Sequence, residues 1–128
     1  MKAIIFTLLF SSNAFCDLLI VTSHNNQLKN ITKKDIANLY LGKTNTIQGI
    51  KVTPIDSKDN KTYKEFYQKV VKKNLSQLQA YWIKQIYAGH KQPPKRLTST
   101  EVKNIKTKKN FIAYSKDALT GKIILTIK

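Results

Sequence analysis

The sequence predicts an α/β layer fold, a small sheet covered by helices, and three observations carry it. Apolar, β-branched runs stand at residues 18–22 near the start and at 111–114 and 123–127 near the end. Between them Tyr63, Phe66, Tyr67, Val70 and Val71 recur at i, i+3, i+4, i+7 and i+8, the spacing of one helix face. The chain has 128 residues, enough for one domain with a real core and too few for two.

The elements follow in order. Residues 18–22 (LLIVT) predict a buried strand, and 23–30 a polar loop. Thr32 is a candidate N-cap with Asp35 three residues on, and Ile31 and Ile36 stand where a hydrophobic staple needs them. Ile36, Leu39 and Tyr40 form that helix's apolar face, and Gly42 supplies its stop. Residues 43–49 read as a polar turn, and Ile50, Val52 and Ile55 as a second strand. After the periodic helix, Ser76 with Gln79 predicts a capped third helix with Leu78, Trp82 and Ile86 on one face and Gly89 at its end. Gln92-Pro93-Pro94 is a rigid connector. Thr98 with Glu101 makes another capping box and Leu97 with Val102 another staple, on a helix whose apolar edge is only Val102 and Ile105. Two closing strands flank a polar turn containing Asp117 and Gly121. The expected order is β-α-β-α-α-α-β-β, with no repeat and no linker that splits the chain.

Residues 1–16 read as a secretory signal peptide and 17–128 as the domain. Lys2 is the positive start, residues 3–10 are a short apolar run, and Ser11, Ser12, Asn13 and Ala14 turn small and polar. The run is too short for a membrane-spanning helix. Ala14 and Cys16 flank Phe15 as small residues, which favours cleavage after Cys16. Lipidation of Cys16 is the competing reading, and the bulky Phe15 runs against it. The expected product is exported and soluble.

Composition narrows the function classes. The chain carries 23 Lys+Arg against 7 Asp+Glu, a net charge of +16. Arg96 is the single arginine, whereas a phosphate-reading surface usually favours the bidentate guanidinium. The basic residues are spread along the chain, with a dense run only at 103–109. A solvated Lys-rich surface is favoured over a dedicated nucleic-acid face. One cysteine and two histidines exclude a disulfide framework and leave a Cys/His zinc site short of ligands. His24 and His90 have no nucleophile elbow, HExxH or glycine-rich phosphate loop beside them, so no enzyme, metal or cofactor is expected.

Three collinear stretches carry a resemblance: ITKKDIANLYLGK (31–43) followed by KVTPID, YKEFYQKVVKKNLSQLQAYWIKQIYAGHKQPP (63–94), and FIAYS (111–115) before a final strand. Together they resemble the periplasmic phosphate-binding protein family, the solute receptors of phosphate ABC transporters, and in particular its short single-lobe members. The resemblance implies a single periplasmic-binding-protein-like lobe, a small mixed sheet flanked by helices, and a periplasmic location. It implies a site for phosphate or a related oxyanion, serving transport or sensing through a membrane transporter or sensor partner. Mapped onto this chain, the anion-holding turn is 56–62. Thr62 comes first as a ligand, then Ser57 and Asn60, with Lys61 and Lys64 adding charge. The first loop, Thr22-Ser23-His24-Asn25-Asn26, is placed at the same sheet edge, with Ser23 as a further ligand. The sequence departs from the family pattern here. The turn lacks its glycines, the arginine that usually follows is replaced by Tyr63 or Lys64, and Asp59 is itself a good N-cap that competes for the anion's position. One lobe leaves such a site open unless two chains pair to close it. Three expectations follow: an oxyanion-binding module, a module of the same fold that has lost its ligand and docks acidic partners through its lysines, and, last, a charge-driven nucleic-acid binder.

Overall fold

β1 (Leu18–Thr22) runs through the middle of the protein, with Leu18, Ile20, Val21 and Thr22 all fully buried. The computed structural model describes residues 17–23, 27–89, 91–105, 110–116 and 121–128. The signal peptide expected at 1–16, His24, His90, residues 106–109 of the basic run and Asp117 lie outside the described residues.

The architecture is mixed α/β. A five-stranded sheet has the order β5-β4-β6-β1-β7, where β4 is Thr53–Ser57, β5 Lys95–Leu97, β6 Phe111–Ser115 and β7 Lys122–Ile127. β4 runs parallel to β5 and β6, while β1 runs antiparallel to β6 and β7. β6 is buried at all five positions: Ile112 and Tyr114 pack into one hydrophobic cluster and Phe111 and Ala113 into another, so both faces of the strand are covered. Gly121 opens β7 with φ +152; a Cβ there would meet the Thr22 carbonyl oxygen at 2.6 Å, so only glycine lets the chain pass this close.

α1 (Lys33–Tyr40) starts as the sequence predicts: the Thr32 hydroxyl accepts from the Asp35 N–H, and the Asp35 carboxylate accepts from the Thr32 N–H. The expected polar turn at 43–49 contains β2 (Thr46–Ile47), which forms a small hairpin with β3 (Ile50–Lys51). Gln48 and Gly49 both have positive φ, as a two-residue hairpin turn needs. The single strand expected across Ile50, Val52 and Ile55 is therefore split between β3 and β4.

The strongly periodic segment forms α2 (Asn60–Phe66) and then a π-helical turn (Tyr67–Val71), ended by Lys72 at φ 63. Tyr67, Val70 and Val71 are buried with Phe66, so the predicted face is the buried face. Lys72 pays the left-handed penalty of a residue with a Cβ. Lys72→Gly is expected to raise stability by about 1 kcal/mol, read as a higher thermal midpoint.

The N-cap of α3 (Leu75–Tyr87) lies two residues before the expected one. Asn74 is the N-cap, paired with Gln77, in place of Ser76 with Gln79. Leu78 and Trp82 face the core as predicted, but Ile86 is 50% exposed: each i+4 step turns about 40° further round the helix, which carries Ile86 toward the outer face of Ile83 and Tyr87. α4 (Ser99–Lys103) has the predicted Thr98–Glu101 capping box. β5 was not expected; three residues carry no periodicity, and it exists through pairing with β4.

Candidate functional site

The turn from Ser57 to Thr62 stands at the C-terminal end of β4, where parallel α/β sheets place ligands. Ser57, Asn60, Lys61 and Thr62 are brought together there by the start of α2. Their polar groups, however, largely satisfy one another. The Asp59 carboxylate accepts from the Thr62 N–H at 3.0 Å and from the Thr62 hydroxyl at 2.5 Å. Those two bonds hold its pKa below the usual carboxylate value. The Ser57 hydroxyl accepts from the Asp59 N–H at 3.0 Å. Lys58 pairs with Glu101 at 2.9 Å, while Lys61 and Lys64 extend into solvent. The N-terminus of α2 thus already holds a carboxylate, the chain's own.

Ser23 is not part of this cluster. β1 is antiparallel to β6, and Thr22 pairs with Ile112, next to the Pro54 end of β4. Ser23 donates to the Asn110 side chain at 3.1 Å. It sits at the opposite sheet edge from Ser57, about 13 Å along the strand direction. This corrects the expected placement of the Thr22–Ser23 loop: strand direction, which hydrophobic runs do not encode, decides the edge.

An arginine reaches the turn from another element. Arg96, on β5, lies over the Tyr63 ring at 4.0 Å, donates from Nε to the Ser57 carbonyl at 2.8 Å and from Nη2 to the Asn60 side chain at 2.9 Å. Nothing in the sequence pairs Arg96 with this turn; the parallel register of Arg96 against Asp56 does.

Directly beneath lies a buried carboxyl. Asp56 is 2% exposed and accepts from the Tyr67 hydroxyl at 2.8 Å and the Tyr114 hydroxyl at 2.9 Å. Burial pushes its pKa up to about 7, against the downward pull of the two phenols and Arg96. Tyr114 also accepts from the Ser57 N–H at 3.2 Å. Tyr40 donates to the carbonyls of Ile55 and Ile112, and Phe66 stacks on Tyr114 at 3.9 Å between centroids. The cavity beside Asp56, lined also by Ser57, Ser99 and Tyr114, measures about 10 Å³, room for one water and no substrate. This network ties β4, β6 and the helical layer together. Asp56 belonged to the mapped turn, but its two tyrosines are distant in sequence and gave no signal.

The outer surface of α3 is the other unusual feature. Only Leu78 and Trp82 of its thirteen residues are buried, with the Tyr81 hydroxyl donating to the Leu41 carbonyl at 2.6 Å. Ile83 is 56% exposed, Ile86 50% and Tyr87 93%, at i, i+3 and i+4 on one face, with Leu75 two turns earlier. No acidic residue occurs from Phe66 to Thr100, a stretch with six lysines and Arg96.

Among the described residues no group of three or more His, Cys, Asp or Glu gathers to hold a metal, and no helix is long and apolar enough to cross a membrane. Comparison with protein-family models, curated proteins and solved structures finds no match to this chain.

Proposed function

We propose that the chain is an exported docking module, built on a single lobe of the substrate-binding type, that engages an acidic protein partner through the outer face of α3. One observation carries the reading. Ile83, Ile86 and Tyr87 are exposed on one helix face inside a stretch without a single carboxylate side chain. Exposed apolar surface of this kind marks an interaction site. The surrounding positive charge selects an acidic partner and disfavours a second copy of this basic chain. The Asp59 carboxylate supports the same reading, because it fills the place where an oxyanion would sit on α2. Export rests on residues 1–16, and the substrate-binding-type lobe rests on the sequence resemblance.

Site-specific photo-crosslinking tests it. A photoreactive side chain in place of Tyr87, in the producing cell, should form a salt-sensitive adduct with one acidic protein. The purified pair should then bind directly, and Ile83→Ser with Ile86→Ser should abolish binding without unfolding the domain. An adduct pattern equal to that from a probe at Lys51, on β3, would sink the proposal.

A second reading, binding of phosphate or a related oxyanion at 57–62, is favoured by one observation: Arg96 brings its guanidinium to that turn. It requires an anion to displace Asp59 from Thr62.

A further inference from the structure

A groove of about 610 Å³ opens at the other edge of the sheet from Ser57, beside the start of β4. Its size lies in the range of sites for small organic ligands. Its apolar walls come from Leu39, Tyr40, Pro54, Trp82, Pro93 and Pro94. The two prolines and the indole present flat, rigid surfaces that lose little freedom when covered. Three cations, Lys43, Lys91 and Lys95, also line it, with no carboxylate side chain among the lining residues. None of the three lysines is in an ion pair among the described residues. The α1 stop shapes one side: Gly42 has φ +70, and a Cβ there would meet Lys91 Cδ at 2.8 Å, so the lysine stem lies directly over the glycine.

An apolar slot of this size with cations and no anions selects a ligand that has both an apolar body and a negative charge. Inorganic phosphate has no body to fill the slot, and an uncharged aromatic leaves the lysines unanswered. We infer that this groove binds a small organic anion, a carboxylate carried on an aryl or branched alkyl body. The body rests against Trp82, Pro93 and Pro94, and the carboxylate meets Lys43, Lys91 and Lys95. The site is separate from the α3 outer face and from the turn at 57–62, and does not depend on either reading of them.

Trp82 is the only tryptophan, so its emission reports on the groove directly. The probe is 4-phenylbutyrate, with 4-phenylbutyramide as the same body without charge and inorganic phosphate as charge without the body. The carboxylate should change Trp82 emission saturably, with a Kd of about 1 mM or tighter. The amide and phosphate should bind at least about fivefold more weakly. Lys43→Gln with Lys91→Gln should weaken the carboxylate at least about fivefold while leaving the fold unchanged by far-UV circular dichroism. Amide chemical shifts should move at Gly42, Thr44, Asn45 and Gln92. No saturable change in the folded domain, equal binding of the amide, or shifts centred away from those four amides would each overturn the proposal.

Discussion

Stability should fall as pH rises from about 4 to about 7, and Asp56→Asn should remove that fall. The Asp56 carboxyl has an ordinary pKa of 3.8 and is pushed up to about 7 by burial in the folded protein. Between those values the folded state keeps the proton and the unfolded chain releases it. The folded state therefore binds more protons, and stability decreases with rising pH. Above about 7 both states are ionised and the loss is complete. The window corresponds to about 4 kcal/mol, a large share of a small domain's total stability. Asp59, Glu65 and Glu101 have lowered pKa values and act oppositely, but their effect falls in more acidic solution. Denaturant unfolding at pH 5 and pH 8 measures the difference. Asp56→Asn should be nearly flat across that range and more stable than the wild type at pH 8. A wild type more stable at pH 8 than at pH 5 would show that Asp56 is ionised without cost.

Phe66→Ala should destabilise the domain by about 4 kcal/mol. Phe66 is fully buried, stacks on Tyr114 and packs edge-on against Tyr67, the two residues whose hydroxyls hold Asp56. Removing the ring leaves a cavity and frees both phenols to move, so the transfer cost and the network cost add. Phe66→Leu retains most of the volume and should cost less than half as much. Chemical denaturation of the pair at pH 5, where Asp56 is protonated, isolates the packing part. Equal stability of wild type and Phe66→Ala there would remove Phe66 from the core that carries the site.

The parts legible in the sequence were those set by local chemistry. The Thr32–Asp35 and Thr98–Glu101 boxes are three-residue hydrogen-bond patterns, and both form. The face from Tyr63 to Val71 is a helical period, and Phe66, Tyr67, Val70 and Val71 on it are buried while Tyr63 is half-buried. Where two local solutions compete, sequence is weaker. Asn74–Gln77 and Ser76–Gln79 are equivalent boxes two residues apart, and the left-handed Lys72, which ends the preceding turn, leaves Asn74 extended at the cap. Ile86 continues the i+4 spacing of Leu78 and Trp82, but successive i+4 steps drift round the helix, and Ile86 ends on the outer face with Ile83 and Tyr87. Ser23 and Arg96 went to unexpected places for one reason. Strand direction and register are long-range properties, and they alone put Ser23 beside Asn110 and Arg96 beside Ser57. Asp59 was legible both as a cap and as an obstacle to an anion, and the hydrogen bonds from Thr62 are those of the cap.

Occupation of the turn at 57–62 by Asp59, and not by a bound anion, is tested most directly by amide NMR of residues 17–128 during phosphate titration, with sulfate as the control for charge. The Asn60, Lys61 and Thr62 amides and the Arg96 Nε–H should show only the small, non-saturating drift shared with sulfate. Saturable movement of Thr62 and Arg96 with phosphate, unmatched by sulfate, would mean that the anion displaces Asp59 and that the turn is the binding site after all.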